Sequence, residues 1–211
     1  MKFADRVDAG KQLAQKLEKY KNGTDVIVLG LARGGVVIAY EVARALGLAM
    51  DIKIVRKIGA PSNPELAVGA LTASGTIYLN KPLMNSLGVT VDILAPSIEA
   101  EKKEALRRWH VYCGDQEPLE INDKTVILVD DGIATGASME VAIQSVALHG
   151  AKKIVVAAPI IAASVVPTLT KKVSEVVSLC QPIDFWGIGQ FYDSFEQVSD
   201  DQIVSIMQMA R

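Results

Sequence analysis

The run Val126-Ile127-Leu128-Val129-Asp130-Asp131-Gly132-Ile133-Ala134-Thr135-Gly136-Ala137-Ser138 decides how this chain folds. Four apolar residues read as a strand buried on both faces, the pattern of a parallel sheet. Two acids stand where the strand runs out, and open α/β sheets take their ligands at the carboxyl ends of their strands. Small residues and hydroxyls then open an apolar helical pattern at Ile143, Val146 and Ala147. The same order recurs upstream. Asp25 to Leu31 reads as a buried strand, Ala32-Arg33-Gly34-Gly35 as the loop behind it, and Val36, Val37, Ala39, Tyr40, Val42, Ala43 and Leu46 as a helix face.

Each part of the first run has its own chemistry. The main-chain N–H groups of Thr135, Gly136, Ala137 and Ser138 converge at a helix N-terminus, which is an anion site. The hydroxyls of Thr135 and Ser138 add donors, and Gly136 allows close backbone approach. Asp130 and Asp131 repel an anion but accept hydrogen bonds from vicinal ribose hydroxyls, as the acid of dinucleotide-binding folds does. Carboxylates beside a phosphate nest suit a ribose 5-phosphate. The spacing from Gly132 to Gly136, with no lysine behind it, excludes a Walker A loop.

These residues resemble the phosphoribosyl diphosphate (PRPP) motif of type I phosphoribosyltransferases, and every position from Val126 to Ser138 fits it. The resemblance implies a doubly wound parallel α/β sheet carrying an antiparallel lid hairpin and a small C-terminal hood, in a single domain over residues 1–211. It also implies a loop at Ala32-Arg33-Gly34 that holds pyrophosphate, with Arg33 in the basic position and a non-proline cis peptide at Ala32–Arg33. The lid falls at about 56–70, where Gly59, Pro61, Ser62, Asn63 and Pro64 separate two strand-like runs. Arg56 and Lys57 before it resemble a basic pair that meets pyrophosphate, while Glu65 has either an anchoring or a solvated role. The hood falls at about 181–195 with an N-terminal contribution. There Phe185, Trp186, Phe191 and Tyr192 crowd together in a chain that is only 5% aromatic, and the resemblance implies that they are base-stacking candidates, with core-edge packing or a dimer interface as the alternative.

The implied reaction displaces pyrophosphate from C1 of PRPP by a nitrogen acceptor, most simply a nucleobase. Asp130, Asp131 and Arg33 are the catalytic candidates. Gly132, Ala134, Thr135, Gly136, Ala137 and Ser138 join Ala32, Arg33, Gly34, Arg56 and Lys57 in binding substrate. Mg²⁺ is the implied cofactor, held through PRPP with Asp130 and Asp131 as candidate protein ligands. Purine-salvage members often carry an acid where this chain has Ala134. The Phe3-Ala4-Asp5-Arg6 opening and Gly10 resemble a set of stand-alone prokaryotic members whose acceptor is unsettled. A PRPP- or nucleotide-sensing regulator is the alternative class, and homodimers are frequent among similar proteins.

Composition sets outer bounds. With 211 residues, 50% of them hydrophobic, and a formal net charge of −2, the chain has a core to bury and no basic field for nucleic acid. Cys113 and Cys180 are too few for a disulfide framework, which points to a reduced cytoplasm, and no apolar signal core opens the sequence. Ile154 to Thr170 is uncharged, but Pro159 and Pro167 make it a strand, a turn and a short helix rather than a membrane span. The remaining expectations are a helix over about Ala4 to Tyr20, strands at Ile52 to Val55, Ile77 to Leu79 and Val176, and a short helix from Lys81. A charged helix over about Pro96 to Trp109 carries the i,i+4 pairs Glu99–Lys103 and Glu104–Arg108, and a final helix opens with the capping-box spacing Ser199–Gln202.

Overall fold

A computed structural model describes residues 2–210, apart from the side chain of Glu65, whose sequence-based role therefore lies outside the described residues. The chain begins with helix α1 (Arg6–Lys16), whose N-cap Asp5 accepts from the N–H of Asp8 at 2.8 Å. Strand β1 (Val26–Leu31), helix α2 (Gly34–Leu46) and strand β2 (Ala49–Lys53) follow. Next come β3 (Val55–Ala60), β4 (Asn63–Thr72), β5 (Ile77–Leu79), α3 (Lys81–Ser86) and the long α4 (Val91–Cys113). The second half alternates β6 (Thr125–Val129), α5 (Ala137–Leu148), β7 (Lys153–Ile160), α6 (Val166–Thr170) and β8 (Glu175–Cys180), and ends in α7 (Asp200–Ala210).

Five strands pair in parallel in the order β2-β1-β6-β7-β8, so the two glycine-loop units lie side by side at the centre. Alternation along each strand divides the core. Val28, Ile127 and Val155 pack with Ala9 and Leu13 of α1 and with α2, whereas Leu29, Leu128 and Val156 pack with Met139, Val141 and Val146 of α5. Both faces are covered by helices, which is why these strands read as continuous apolar runs. β3, β4 and β5 form a separate antiparallel sheet, with α4 against β3 and α5 against β4.

Three expected boundaries move. The strand expected at Ile52 to Val55 is two elements: β2 ends at Lys53, Ile54 turns the chain out of the parallel sheet, and β3 begins the hairpin. The expected loop around Gly59 is mostly strand. β3 and β4 stay paired as far as Ala60 and Asn63, with a register shift at Gly59, leaving Pro61 and Ser62 as the turn. A Cβ on Gly59 would lie 2.7 Å from the Cα of Pro64, so glycine is what lets the bulged strands close up. Helix α4 starts at Val91 rather than Pro96, because Thr90 caps it and Leu94 and Ile98 already face the core. Pro96 therefore lies inside the helix, near its start.

The C-terminal segment returns across the carboxyl ends of the strands and is stitched to the N-terminus. The N–H of Phe3 donates to the Phe191 carbonyl at 2.8 Å, and that of Asp193 to the Phe3 carbonyl at 2.8 Å. The Ser199 capping box forms: Ser199 N–H donates to Gln202 Oε1 at 2.8 Å, and Gln202 N–H to Ser199 Oγ at 3.2 Å. This cap sets the first turn of α7, where Asp200 meets Arg33 at 3.6 Å and accepts from the Tyr112 hydroxyl at 2.6 Å. Ser199→Ala is expected to destabilise the chain by about 0.5–2 kcal/mol, with a fall of about 2–4 °C in Tm per kcal/mol, measured by thermal melting.

Candidate active site

The acids Asp130 and Asp131 lie between the end of β6 and a short continuation of the ladder, in which the Ile133 N–H donates to the Ile160 carbonyl and the Ala162 N–H to the Ile133 carbonyl, both at 2.9 Å. Pairing on both sides fixes the main chain that presents them. Asp130 accepts from the N–H of Asp131 at 2.9 Å. The Asp131 carboxylate accepts from Arg6 Nε at 2.8 Å, and both side chains of this pair are only 12% exposed. Arg6 is fixed in turn, donating from Nη1 to the Glu196 carbonyl at 2.8 Å, with its guanidinium 3.9 Å above the Phe195 ring.

The glycine loop after β1 is packed directly on these acids. A Cβ on Gly34 would collide with the Asp131 carboxylate, and one on Gly35 would lie 2.6 Å from the Val129 carbonyl oxygen and 2.8 Å from the Asp130 Cα. The two glycines therefore hold the Ala32–Gly35 loop against the acid pair, a close approach that only a missing side chain permits. The Ala32–Arg33 peptide is cis, as the family resemblance implies. Arg33 points its guanidinium toward Asp200 of α7.

The second loop becomes helix α5 at Gly136, which has φ 79° and serves as the N-cap, so Ser138 lies inside the first turn. A cleft of about 470 Å³ opens before Thr135, Gly136 and Ala137 and is also lined by Lys57, Tyr78 and Lys172. Lys57 thus reaches the phosphate-type loop. Arg56 does not join it: successive strand residues face opposite ways, and Arg56 Nε donates to Glu101 of α4 at 2.6 Å. Gly132 lies beneath the hood, where a Cβ would come 2.6 Å from Ile188 Cγ2. Lys172, unnoticed in the sequence, is held at the cleft by Glu140 at 2.6 Å.

The aromatic candidates separate. Tyr192 is buried with its ring between Phe3 (5.6 Å between centroids) and Phe195 (4.9 Å), so it offers no free face for a base. Its hydroxyl donates to the Asp131 carbonyl at 2.7 Å, which makes it a strut of the site. Phe185 packs on Phe191 at 5.9 Å, and Trp186 is 92% exposed. Of the functional residues that sequence reasoning missed, Arg6 matters most. Its signal was present in the Phe3–Arg6 segment, which marked the family resemblance without suggesting that a helix N-terminus would reach residue 131.

Burial pushes the Asp130 carboxyl well above the usual carboxylate range, and the neighbouring Asp131 pushes it further, against the pull of Lys57 and Arg6. Asp131 is also raised by burial, with Arg6 opposing. Two carboxyls resisting ionisation in one place form a site short of positive charge or of hydrogen-bond donors. Among the described residues no cluster of three or more His, Cys, Asp or Glu could hold a metal by itself.

Strands deliver a glycine loop, an acid pair and a helix-opening loop to one end of the parallel sheet, the arrangement that the sequence resemblance implies. The phosphoribosyl transferase domain model matches residues 3–196, and the chain belongs to that family. Two Mycobacterium tuberculosis proteins provisionally named phosphoribosyl transferases, from strains CDC 1551 / Oshkosh and H37Rv, are each 40% identical over 210 residues, covering 99% of this chain and 47% of their own length. The chain thus spans about half the length of these curated relatives. The crystal structure of TT1426 from Thermus thermophilus superposes with a TM-score of 0.84 at 37% identity, covering 99% of both chains.

The raised Asp130 pKa has a stability consequence. The folded chain holds its proton more tightly than the unfolded chain, so stability falls as pH rises from about 3.9 through the folded pKa. Asp130→Asn is therefore expected to melt higher than wild type at neutral pH without ligand, with the gap closing as pH falls toward about 3.9. Asp131→Asn is expected to gain less than Asp130→Asn, since it also gives up the charge of the ion pair with Arg6. Melting curves of both variants across pH 4–8 check the pair (roughly the span of the linkage).

Proposed function

We propose that this chain transfers the 5-phosphoribosyl group of PRPP to a small nitrogen acceptor, a nucleobase in the simplest case, releasing pyrophosphate. One observation carries the reading: Gly34 and Gly35 are packed onto Asp130 and Asp131, so a pyrophosphate-type loop and a ribose-type acid pair face one volume. A ligand with pyrophosphate at C1, hydroxyls at C2 and C3 and phosphate at C5 matches the order of groups from Arg33, through the acids, to Thr135–Ser138.

In this reading the N–H groups at the start of α5 and the hydroxyls of Thr135 and Ser138 hold the 5-phosphate. That contact is remote from C1, so its binding energy serves to position the sugar. The acids accept from the ribose hydroxyls, and Arg33 with Lys57 meets the pyrophosphate charge. The acceptor nitrogen forms its bond to C1 as the bond from C1 to the pyrophosphate oxygen breaks, and the electron pair leaves with pyrophosphate. Ala134 supplies no base, so the acceptor nitrogen gives its proton to solvent water or to the departing pyrophosphate oxygen. Mg²⁺ fits this donor set, because Asp130 and Asp131 both resist ionisation when no cation is present, and such sites use one or two carboxylates plus substrate oxygens. When bound, it would neutralise the charge building on the pyrophosphate. The hairpin of β3 and β4 acts as the lid, Trp186 and Phe185 remain the base-facing candidates, and the working unit is a homodimer in the cytoplasm. No described helix is long and apolar enough to cross a membrane.

The deciding measurement is Mg²⁺-dependent pyrophosphate release from PRPP across purines, pyrimidines and other nitrogen heterocycles, with Asp130→Asn/Asp131→Asn as the blank. Release with one acceptor class is the expected result. PRPP binding without release on any acceptor would move the assignment to a sensor, and absence of PRPP binding would overturn both. Hydrogen exchange at Gly59 to Asn63 is expected to slow when PRPP is added, and equal protection in both states would remove the lid.

A further inference from the structure

A second cavity, of about 280 Å³, shares no lining residue with the cleft at Thr135–Ala137. It lies where β2 leaves the parallel sheet and the antiparallel hairpin begins. Ile52, Ile54, Leu106, Trp109, Leu119 and Ile121 are among its apolar lining residues. Its polar lining groups are nearly all engaged. Asp51 accepts from the N–H of Ile52 at 2.8 Å and of Leu119 at 2.9 Å. Thr72 and Ser74 share a hydrogen bond at 2.9 Å, and His149 Nδ1 lies 2.6 Å from the Ser145 carbonyl.

Lys53 is the exception. Its side chain lines the cavity, and among the described residues its ammonium forms no hydrogen bond or ion pair. Among those residues no sealed side-chain nitrogen or oxygen lacks a partner, so the Lys53 ammonium keeps accessible surface. Burial lowers its pKa to about 8, and the Asp51 charge only partly opposes this. Three strong donors against an apolar wall call for an acceptor carrying negative charge and an apolar body.

We propose that this cavity binds a small monocarboxylate with an apolar or aromatic body, the carboxylate on Lys53 and the body against Trp109. One carboxylate matches one ammonium. A phosphate dianion would place two charges against a single lysine, close to Asp51. The Asp51 oxygens are each turned to a main-chain N–H, which lessens their repulsion of the ligand. The volume admits a ring with a short substituent. The site borders the pyrophosphate-type loop, because the Lys53 carbonyl accepts from the N–H of Ala32 at 3.0 Å.

The chain has two tryptophans, so Trp186→Phe leaves Trp109 as the sole indole reporter. Benzoate, benzamide and benzylamine would be titrated against this protein by fluorescence, and against wild type by calorimetry. Saturable benzoate binding is expected, at least about tenfold tighter than the neutral or cationic analogue and weakened at least about tenfold by Lys53→Met. No saturable binding of benzoate or hexanoate would overturn the proposal. So would benzamide binding as tightly as benzoate, or Lys53→Met retaining full affinity. If Lys53→Met fails to fold, the benzoate–benzamide ratio on wild type still decides. None of these readouts depends on PRPP chemistry.

Discussion

Two carboxylates held side by side at the end of a buried strand lose hydration and repel each other, and the surrounding structure is arranged around that problem. Arg6 answers half of it. Its guanidinium comes from the first turn of α1, 125 residues away in sequence, and takes one Asp131 oxygen while Phe195 and the Glu196 carbonyl hold it in place. Among the described residues Asp130 has no cationic side chain bonded to it, and it accepts from its neighbour's N–H. The two acids are therefore unequal: Asp131 is tied to Arg6, and in the proposed reaction Asp130 is the freer of the two to meet a ligand's hydroxyl or a cation. Stability given up at Asp130 is the cost of keeping a donor-hungry group in a site.

The glycine loops translate that constraint into geometry. Parallel pairing of β1 with β6 sets their two carboxyl ends side by side, so the loop leaving β1 must pass the acids leaving β6. Gly34 and Gly35 let it pass in contact. The same pairing brings the loops that open α2 and α5 to one end of the sheet, each with the free N–H groups of a helix start. Clustered donors and clustered acids are thus consequences of one topology, the short strand–loop–helix unit used twice.

Much of this was legible in the sequence because it is local. Strand, acid pair, hydroxyl loop and helix follow one another without a break from Val126 to Ser138, and the cis bond at Ala32–Arg33 lies within the loop from which the resemblance was read. Long-range pairing was not legible. Nothing near Arg56 signals that Glu101 will claim it, while Lys57, one residue on and facing the other way, reaches the cleft. Tyr192 looked like its aromatic neighbours, yet register with Phe3 buried it. The split of Ile52 to Val55 into two sheets follows from tertiary pairing, because Ile54 belongs to neither strand and its carbonyl instead accepts from Ala73.

The C-terminal segment is bound directly to the turn that carries the two acids. Tyr192 donates to the Asp131 carbonyl, and Ile188 is seated on Gly132, so two residues of the C-terminal segment touch the acid-bearing turn directly. Phe3 ties that same segment to the start of the chain, next to Arg6. A movement of the hood that admits an acceptor must therefore act on the main chain of Asp131 and on the helix that neutralises it. In the proposed reaction these contacts would couple acceptor entry to ribose binding, with Arg6 and Tyr192 as the two arms that hold Asp131 from the side chain and from the backbone.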